Sequence, residues 1–182
     1  MNQYPTLKKQ LQFLIVVTLI LFIVAAVNLL TANSLNYFGL MPRELHSLPS
    51  IFIAPWLHGS AAHLLTNLLP LLLFMWLTMQ WPKSRFWLVT LTICLIGGLG
   101  VWLFGRSALH IGASGMVYGY FGFLIYAGFR SKQLRYIAIS VLVALLYGGM
   151  LMGILPSRAF ISFEYHLFGF IGGLFAAWAW VK

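Results

Sequence analysis

The stretch that decides the class of fold is residues 11–30, LQFLIVVTLILFIVAAVNLL. It carries no charged side chain, and a helix of this length can span the hydrocarbon core of a bilayer. The apolar region of a cleavable signal peptide is only about 7–15 residues long, and no cleavage site stands out after this run. We therefore interpret residues 11–31 as a retained membrane-spanning helix, helix 1.

The rest of the chain has the composition of a protein that crosses the bilayer several times. Of its 182 residues, 62% are hydrophobic and only 7% are charged, whereas soluble domains carry about 25% charged residues. This composition excludes a soluble globular domain, a disordered chain and a nucleic-acid-binding module. The formal charge of +9 arises from 11 Lys and Arg against 2 Glu, and we interpret it as a topology signal.

Five further apolar runs predict an all-α polytopic membrane protein, with six transmembrane helices in a single domain of residues 1–182. The helices are predicted at about residues 11–31, 60–80, 86–104, 113–129, 134–154 and 160–181. Between helices 1 and 2, residues 32–59 contain three prolines among apolar and polar residues. That segment is too interrupted for a span, and we expect an interfacial loop that is partly embedded in the membrane.

Lysine and arginine are distributed unequally between the two ends of these helices. If the N-terminus is cytoplasmic, eight of the 11 lie at cytoplasmic ends and three at outer ends, which is the bias of the positive-inside rule. We therefore predict that both termini are cytoplasmic and that helices 2, 4 and 6 run from outside to inside. The cytoplasmic set is Lys8, Lys9, Lys83, Arg85, Arg130, Lys132, Arg135 and Lys182, and the outer set is Arg43, Arg106 and Arg158.

Glycines in helices 4 and 6 are spaced for close helix packing. Gly115 and Gly119 lie four residues apart, as do Gly169 and Gly173, so each pair shares one helix face. Lipid provides no hydrophobic drive for helix association, and small residues instead let two backbones approach closely. We expect helices 4 and 6 to pack tightly on one another or on neighbouring helices.

Candidate polar groups near the starts of helices 2, 4 and 6 lie at one depth. His63 and Asn67 share a face of helix 2. Ser114 begins helix 4, and His166 lies near the start of helix 6. In the predicted orientation His63, Ser114 and His166 lie roughly 2–10 Å below the outer membrane boundary, at about 1.5 Å per residue. Because polar groups are costly in a bilayer, the coincidence indicates a shared, water-accessible site.

Together these groups can form an acyl-transfer site. A serine hydroxyl needs a base that takes its proton, and since the chain has no Asp, a Ser-His-Asp triad is impossible. A dyad of Ser114 and His166 remains possible. The backbone N–H of Ser114 is unpaired in the first turn of a helix, and with His63 and Asn67 it can form an oxyanion hole. Two flanking glycines would let other backbones approach the serine closely, namely Gly112 and Gly115.

Other chemistries fit the sequence less well. A zinc protease would need His-Glu-x-x-His and an aspartyl protease two Asp, and the chain has neither. Zinc ligands could be imagined at His58, His63 and His166, but two histidines five residues apart on one helix are a poor pair. A transporter or channel would place polar residues at mid-bilayer.

Single polar residues also have simpler structural interpretations. Taken alone, Ser114 could bond to the carbonyl four residues earlier in the helix. Glu164 is interpreted as a solvated acid at the start of helix 6.

These motifs resemble the rhomboid intramembrane serine proteases. The matching stretches are residues 58–67, HGSAAHLLTN, residues 112–115, GASG, with Tyr118, and residues 166–169, HLFG, with Gly173. They occupy helices 2, 4 and 6 in the order of that family, and the likeness covers about residues 10–182. Many members carry a Trp-Arg pair in the first loop, where this chain has Leu48-Pro49-Ser50. The chain looks like a minimal, six-helix, bacterial-type form.

The resemblance implies a role for each residue of the site. Ser114 would be the nucleophile, and His166 would be the general base and then the general acid. His63, Asn67 and the Ser114 N–H would form the oxyanion hole. Tyr118 would stack on the His166 ring and orient it. The supporting residues would be His58, Tyr118, Gly112, Gly115, Gly169 and Gly173.

The resemblance also implies a substrate and a location. The family cleaves single-span membrane proteins near the outer membrane surface, without a cofactor or metal. We therefore expect an intramembrane serine endopeptidase with transmembrane substrates and lipid as partners. The simple form of the chain indicates a bacterial inner membrane, with the site toward the periplasm, and an organelle membrane stays open as the alternative. Substrates are expected to enter at helix 5 and residues 155–159. The alternative is a catalytically inactive rhomboid-like protein that binds membrane clients, and the oligomeric state stays open.

Overall fold

Six long helices form the computed structural model, which describes residues 6–156 and 162–182, apart from the side chains of residues 83 and 84. They are α1 (Leu7–Leu30), α2 (Ala61–Thr78), α3 (Lys83–Phe104), α4 (Ser114–Ser131), α5 (Leu134–Tyr147) and α6 (Phe163–Trp180). In this part of the chain there is no β-strand, and an isolated antiparallel bridge joins Leu40 to His110. The predicted all-α class is confirmed.

Serine hydroxyls cap two of the three helices that carry candidate site residues, α2 and α6. Ser60 accepts the backbone N–H of His63 at 3.1 Å, so α2 begins at the next residue. Ser162 accepts the backbone N–H of Tyr165 at 3.2 Å and caps α6 in the same way. Each hydroxyl satisfies one of the N–H groups that a helix leaves unpaired in its first turn. Both caps lie within four residues of a candidate site histidine, and they therefore help to place it.

The predicted helix bounds agree with the observed ones to within four residues, except at the end of helix 5. There the predicted span over residues 134–154 is helical throughout, but its helix type changes, because the α-helix ends at Tyr147 and Gly148–Ile154 continues as a 3₁₀ helix. Two consecutive glycines at the junction lower the α-helical propensity. The predicted start of helix 6 and the predicted entry loop reach into residues 157–161, which lie outside the described residues.

Residues 32–59 form a series of short helical turns rather than an irregular loop. The turns are Ser34–Phe38, Leu45–Ser47, Ser50–Ile53 and Ala54–Trp56. This segment is attached to α3 and its C-terminal end. The guanidinium of Arg43 donates to the carbonyl oxygen of Gly105 at 2.7 Å, and the Cys94 thiol lies 3.2 Å from the carbonyl oxygen of Ile51. Arg43 thus attaches the first loop to the C-terminal end of α3, although the loop lacks the Trp-Arg pair.

Helix α4 lies at the centre of the molecule. Its Tyr120, Phe121 and Phe123 side chains are fully buried, and most of its residues contact other helices. In contrast, α1 and α5 expose most of their Leu, Ile and Val side chains. Exposed apolar faces of this extent are expected where helices contact lipid instead of water.

Helices α4 and α6 pack side by side, which is one of the two packings that their glycine spacing predicts, and they run in the same direction. A Cβ atom added to Gly169 would collide with the carbonyl oxygen of Gly115. One turn further along, a Cβ atom added to Gly173 would collide with the carbonyl oxygen of Gly119. The two backbones are in direct contact at both levels, so the N-terminal ends of the two helices lie at the same end of the molecule.

Four helices of the described chain are long and apolar enough to cross a membrane by themselves. They are Leu7–Leu30, Ala61–Thr78, Arg85–Phe104 and Leu134–Ile154. The other two helices, α4 and α6, are 18 residues long and include glycine, tyrosine and charged residues among their apolar ones. Both pack inside the bundle, where helix contacts replace lipid contacts. Six spans and two cytoplasmic termini therefore remain predictions.

Candidate active site

Ser114 is the first residue of α4, and its side chain is buried. The turn before it is held by the first loop, because Gly112 N–H donates to the Ala54 carbonyl oxygen at 2.9 Å and Ala113 N–H to His58 Nε2 at 3.3 Å. Among the described residues, the backbone N–H of Ser114 has no hydrogen-bond partner. The N-terminus of α4 thus presents a free donor beside the serine hydroxyl.

Gly112 brings the serine turn against α2. Its φ of +111° is disfavoured for any residue with a side chain. A Cβ atom at this position would also lie 2.7 Å from the His63 ring and 3.8 Å from Asn67 Nδ2. Both the backbone conformation and the close approach therefore require glycine. The predicted oxyanion donors of α2 lie directly beside the turn that precedes Ser114.

Among the described residues, Asn67 keeps one amide hydrogen without a partner, although its amide is already bonded once. Asn67 Nδ2 donates to the carbonyl oxygen of His63, one turn earlier on α2, at 3.0 Å. An amide nitrogen carries two hydrogens, and this bond uses one of them. The side chain is buried, so the bond also holds its orientation toward Gly112.

His166 lies in the first turn of α6 and contacts two other elements. Its ring stacks on the Tyr118 ring of α4, with centroids 4.1 Å apart and planes 6° from parallel. Its Nδ1 lies 2.9 Å from the carbonyl oxygen of Gly153 in the 3₁₀ segment after α5. Within the described residues, no hydrogen bond joins His166 to Ser114 Oγ. Such bonds are often long in the absence of substrate and shorten in the reactive complex.

His58 is a buried acceptor behind the serine turn. Its Nε2 accepts the Ala113 N–H, and its carbonyl oxygen accepts from Asn28 Nδ2 at 3.1 Å. Burial, with a smaller contribution from the neighbouring His63, lowers the pKa of His58 to about 4. The two rings meet edge to face at 5.0 Å. In the part of the chain that the structure describes, no three His, Cys, Asp or Glu side chains gather as a metal site.

Glu164 is buried, so its interpretation as a solvated acid is wrong. Its Oε1 accepts the backbone N–H of Arg106 at 3.3 Å and lies 3.3 Å from Arg106 Nε. The side chain is only 6% exposed. Its partner lies 58 residues earlier in the chain, so no local pattern reveals the pair. The ion pair attaches the start of α6 to the end of α3.

His110 is a second buried group that the sequence analysis did not select. Its Nε2 lies 3.1 Å from the carbonyl oxygen of Arg106, and its Nδ1 lies 2.6 Å from Ser162 Oγ. A carbonyl oxygen can only accept, so Nε2 carries the hydrogen and the Ser162 hydroxyl donates to Nδ1. Burial lowers the pKa of His110, which favours this neutral form. Because Ser162 caps α6, His110 supports the helix that carries His166.

Comparison with known proteins identifies the family of the chain. Rv1337 of Mycobacterium tuberculosis and Mb1372 of Mycobacterium bovis, both named only as uncharacterized proteins, are each 33% identical to it over 168 residues. These matches cover 87% of this chain and 70% of each relative. The Bacillus subtilis protein named "Putative rhomboid protease YdcA" is 32% identical over 129 residues, which cover 69% of this chain and 64% of that protein. The family model of the Rhomboid domain matches residues 45–182. The chain therefore belongs to the rhomboid family.

Proposed function

We propose that this protein is an intramembrane serine endopeptidase that uses Ser114 as nucleophile and His166 as general base. Membership of the rhomboid family indicates an intramembrane protease, and the name of the Bacillus subtilis relative points the same way. The four apolar helices and the family together indicate an integral membrane protein. The geometry of the site supports the dyad itself.

The observation that carries the proposal is the stacking of His166 on Tyr118. Tyr118 follows Ser114 by four residues on α4, so the two side chains lie on the same helix face about 6 Å apart along the axis. A ring whose centroid lies 4.1 Å from that of Tyr118 is therefore in a position from which it can approach the serine hydroxyl. This supports a dyad built from the N-terminal ends of α4 and α6.

The reaction follows ordinary acyl-transfer chemistry. His166 Nε2 takes the hydroxyl proton of Ser114 while Oγ attacks the carbonyl carbon of the scissile peptide. The tetrahedral intermediate collapses, and the same nitrogen returns the proton to the leaving amine. Water then attacks the acyl-enzyme with His166 again as base, which releases the acid product and the free serine.

The developing oxyanion would be stabilised by donors that are already in place. The Ser114 N–H has no partner among the described residues, and Asn67 Nδ2 retains one hydrogen. His63 lies beside the same turn. Donors that are fixed before reaction stabilise the transition state more than water does, because they need not reorganise.

The proposed substrate class is the one that rhomboid family membership implies, and the position of the site is compatible with it. We propose that the protein cleaves single-span membrane proteins near the outer face of a bacterial inner membrane, with both of its own termini cytoplasmic. Ser114 and His166 lie in the first turns of parallel helices, so a peptide bond would reach them from one membrane surface. The proposal requires no metal or cofactor.

The alternative function is a catalytically inactive rhomboid-like protein that binds membrane clients. Loss of the serine or the histidine would favour it, and this chain has both. The contacts of His166 with Tyr118 and Gly153 would also be unnecessary for simple binding. The protease is therefore the function that the site supports better.

The test is cleavage of a tagged single-span reporter in liposomes that contain the purified protein. We expect cleavage by the wild type and none by Ser114→Ala or His166→Ala. Thr66→Ala is the matched control, because Thr66 is next to Asn67 but its hydroxyl bonds only to carbonyls of its own helix. Equal processing by all four proteins would contradict the dyad. Labelling of wild type but not of Ser114→Ala by a fluorophosphonate would support the nucleophile independently of the reporter.

A further inference from the structure

We propose that the backbone carbonyl of Gly153 holds His166 in the tautomer that a general base requires, in the place that a carboxylate takes in a Ser-His-Asp triad. In such triads the carboxylate accepts the Nδ1 hydrogen and thereby fixes the tautomer and the orientation of the ring. The inference rests on the proposed function, and it assigns Gly153 as a positioning residue for the dyad.

No carboxylate of the chain takes this position. The chain has no Asp and only two Glu. Glu44 lies in the first loop with a side chain that is 58% exposed, and its carboxylate is 3.7 Å from His46. Glu164 faces Arg106 through Oε1. Among the described residues neither glutamate bonds to His166, whose Nδ1 lies instead 2.9 Å from the Gly153 carbonyl oxygen.

The chemistry of the two partners decides where the hydrogen is. A carbonyl oxygen can only accept, so His166 Nδ1 must carry the hydrogen of this bond. A neutral imidazole has one N–H, and Nε2 is therefore unprotonated. An unprotonated Nε2 is the atom that can take the Ser114 proton. The opposite tautomer would place a hydrogen on Nε2 and prevent that step.

Two contacts from different elements orient the ring. Tyr118 determines the plane of the His166 ring through the parallel stack at 4.1 Å. The Gly153 carbonyl determines its rotation within that plane, because only one direction brings Nδ1 to the oxygen. The base is thus held by α4, which carries the nucleophile, and by the 3₁₀ extension of α5.

The local sequence leaves the Gly153 carbonyl available. In a 3₁₀ helix a carbonyl accepts the N–H three residues later, and three residues after Gly153 stands Pro156, which has no N–H. The position must also be glycine, because a Cβ atom there would collide with the Tyr118 hydroxyl oxygen and come within 3.5 Å of His166 Nδ1. Gly153 and Pro156 therefore each contribute to an acceptor that His166 can reach.

The test measures the tautomer of His166 directly, by NMR of the full-length protein labelled with ¹⁵N-histidine in liposomes. A His166→Asn sample assigns the signals. We expect the Nδ1–H tautomer in the wild type and in Gly149→Ala, since Gly149 belongs to the same 3₁₀ segment and a Cβ there meets nothing within 4 Å. We expect a mixture of tautomers in Gly153→Ala, with a loss of fluorophosphonate labelling of Ser114 of between about 10-fold and 10⁴-fold.

Pro156→Ala keeps the inference falsifiable if Gly153→Ala does not fold. It restores an N–H that can compete for the Gly153 carbonyl and adds no atom beside Tyr118, so we expect a smaller shift of the tautomer in the same direction. The Nε2–H form in the wild type, or an unchanged tautomer in both variants, would overturn the inference. Because the NMR spectrum needs no substrate, a protein that shows the Nδ1–H form but cleaves nothing would contradict the proposed function alone.

Discussion

His58 shows how a single buried side chain supports the serine turn. Its Nε2 accepts the N–H of Ala113, the residue before the candidate nucleophile. Only the neutral ring can accept this bond, since a protonated histidine has two donors and no acceptor. Burial, with a further contribution from His63, lowers the pKa of His58 from 6.5 to about 4. The folded protein therefore favours the neutral ring.

A pH dependence of stability follows from this shift. The unfolded chain binds a proton at His58 below about pH 6.5, while the folded chain resists protonation until about pH 4. The contribution is thus fully present above pH 6.5 and is lost as the pH falls toward 4, to an extent on the order of 3 kcal/mol. We expect His58→Gln, which retains an acceptor oxygen, to lose this part of the pH dependence in unfolding experiments in detergent between pH 7.5 and 4.

The matched control for this experiment is His46→Gln. The His46 side chain is 78% exposed, and its replacement should leave the pH dependence of the wild type in place. A His58→Gln protein whose free energy of unfolding falls with pH as steeply as that of the wild type would contradict the role of His58.

At the scale of helices, the contact between α4 and α6 determines whether the dyad can form. The two backbones touch at Gly115 with Gly169 and at Gly119 with Gly173. Close approach of this kind is how helices associate in lipid, where apolar side chains gain little from leaving the bilayer. The start of α6 is attached separately, by Glu164 to Arg106 and by the Ser162 cap to His110.

Gly173→Ala is therefore expected to destabilise the protein. The added Cβ would collide with the carbonyl oxygen of Gly119, and overpacking of this kind costs about 1–3 kcal/mol. Unfolding by a denaturing detergent in mixed micelles would measure the change. The control is Gly149→Ala, whose Cβ has open space. Equal stability of the two variants would contradict the contribution of the α4–α6 contact to the stability of the protein.

At the scale of the whole molecule, the orientation in the membrane decides which side the site faces. Eight of the 11 Lys and Arg lie at the ends predicted to be cytoplasmic, and the site residues lie at the opposite ends of their helices. A site near the outer surface would receive both water and substrates from that side. The distribution of Lys and Arg and the position of the candidate site are consistent with the same orientation of the protein in the membrane.

Cysteine labelling tests this orientation. In a Cys94→Ala background, which removes the single cysteine, Ser107→Cys and Gln133→Cys would each place one thiol in an exposed connection at opposite ends of the bundle. We expect a membrane-impermeant maleimide to label Ser107→Cys in intact cells and Gln133→Cys only after permeabilisation. Labelling of Gln133→Cys in intact cells would reverse the predicted topology.

The sequence by itself determined the all-α class, most helix bounds and the set of residues near the candidate site. These features depend on local quantities, namely the hydrophobicity of a run, the spacing of glycines and the presence of a polar group in an apolar helix. Knowledge of tertiary contacts was therefore not needed to select the candidate site residues Ser114, His63, Asn67 and His166. The sequence also excluded an aspartate-dependent mechanism, since the chain has no Asp.

Only the tertiary structure decided which groups hold the candidate base and support its helix. The Gly153 carbonyl lies 13 residues from His166, Ser162 lies 52 residues from His110 and Glu164 lies 58 residues from Arg106. A backbone carbonyl is the same in every residue, so no side-chain pattern marks Gly153 as an acceptor. The glycines at 148 and 149 lower the α-helical propensity, but they do not specify the 3₁₀ form of Gly148–Ile154, because its apolar residues suit an α-helix as well. Hydrogen bonds between distant segments depend on how the helices pack, and that packing is a property of the whole chain.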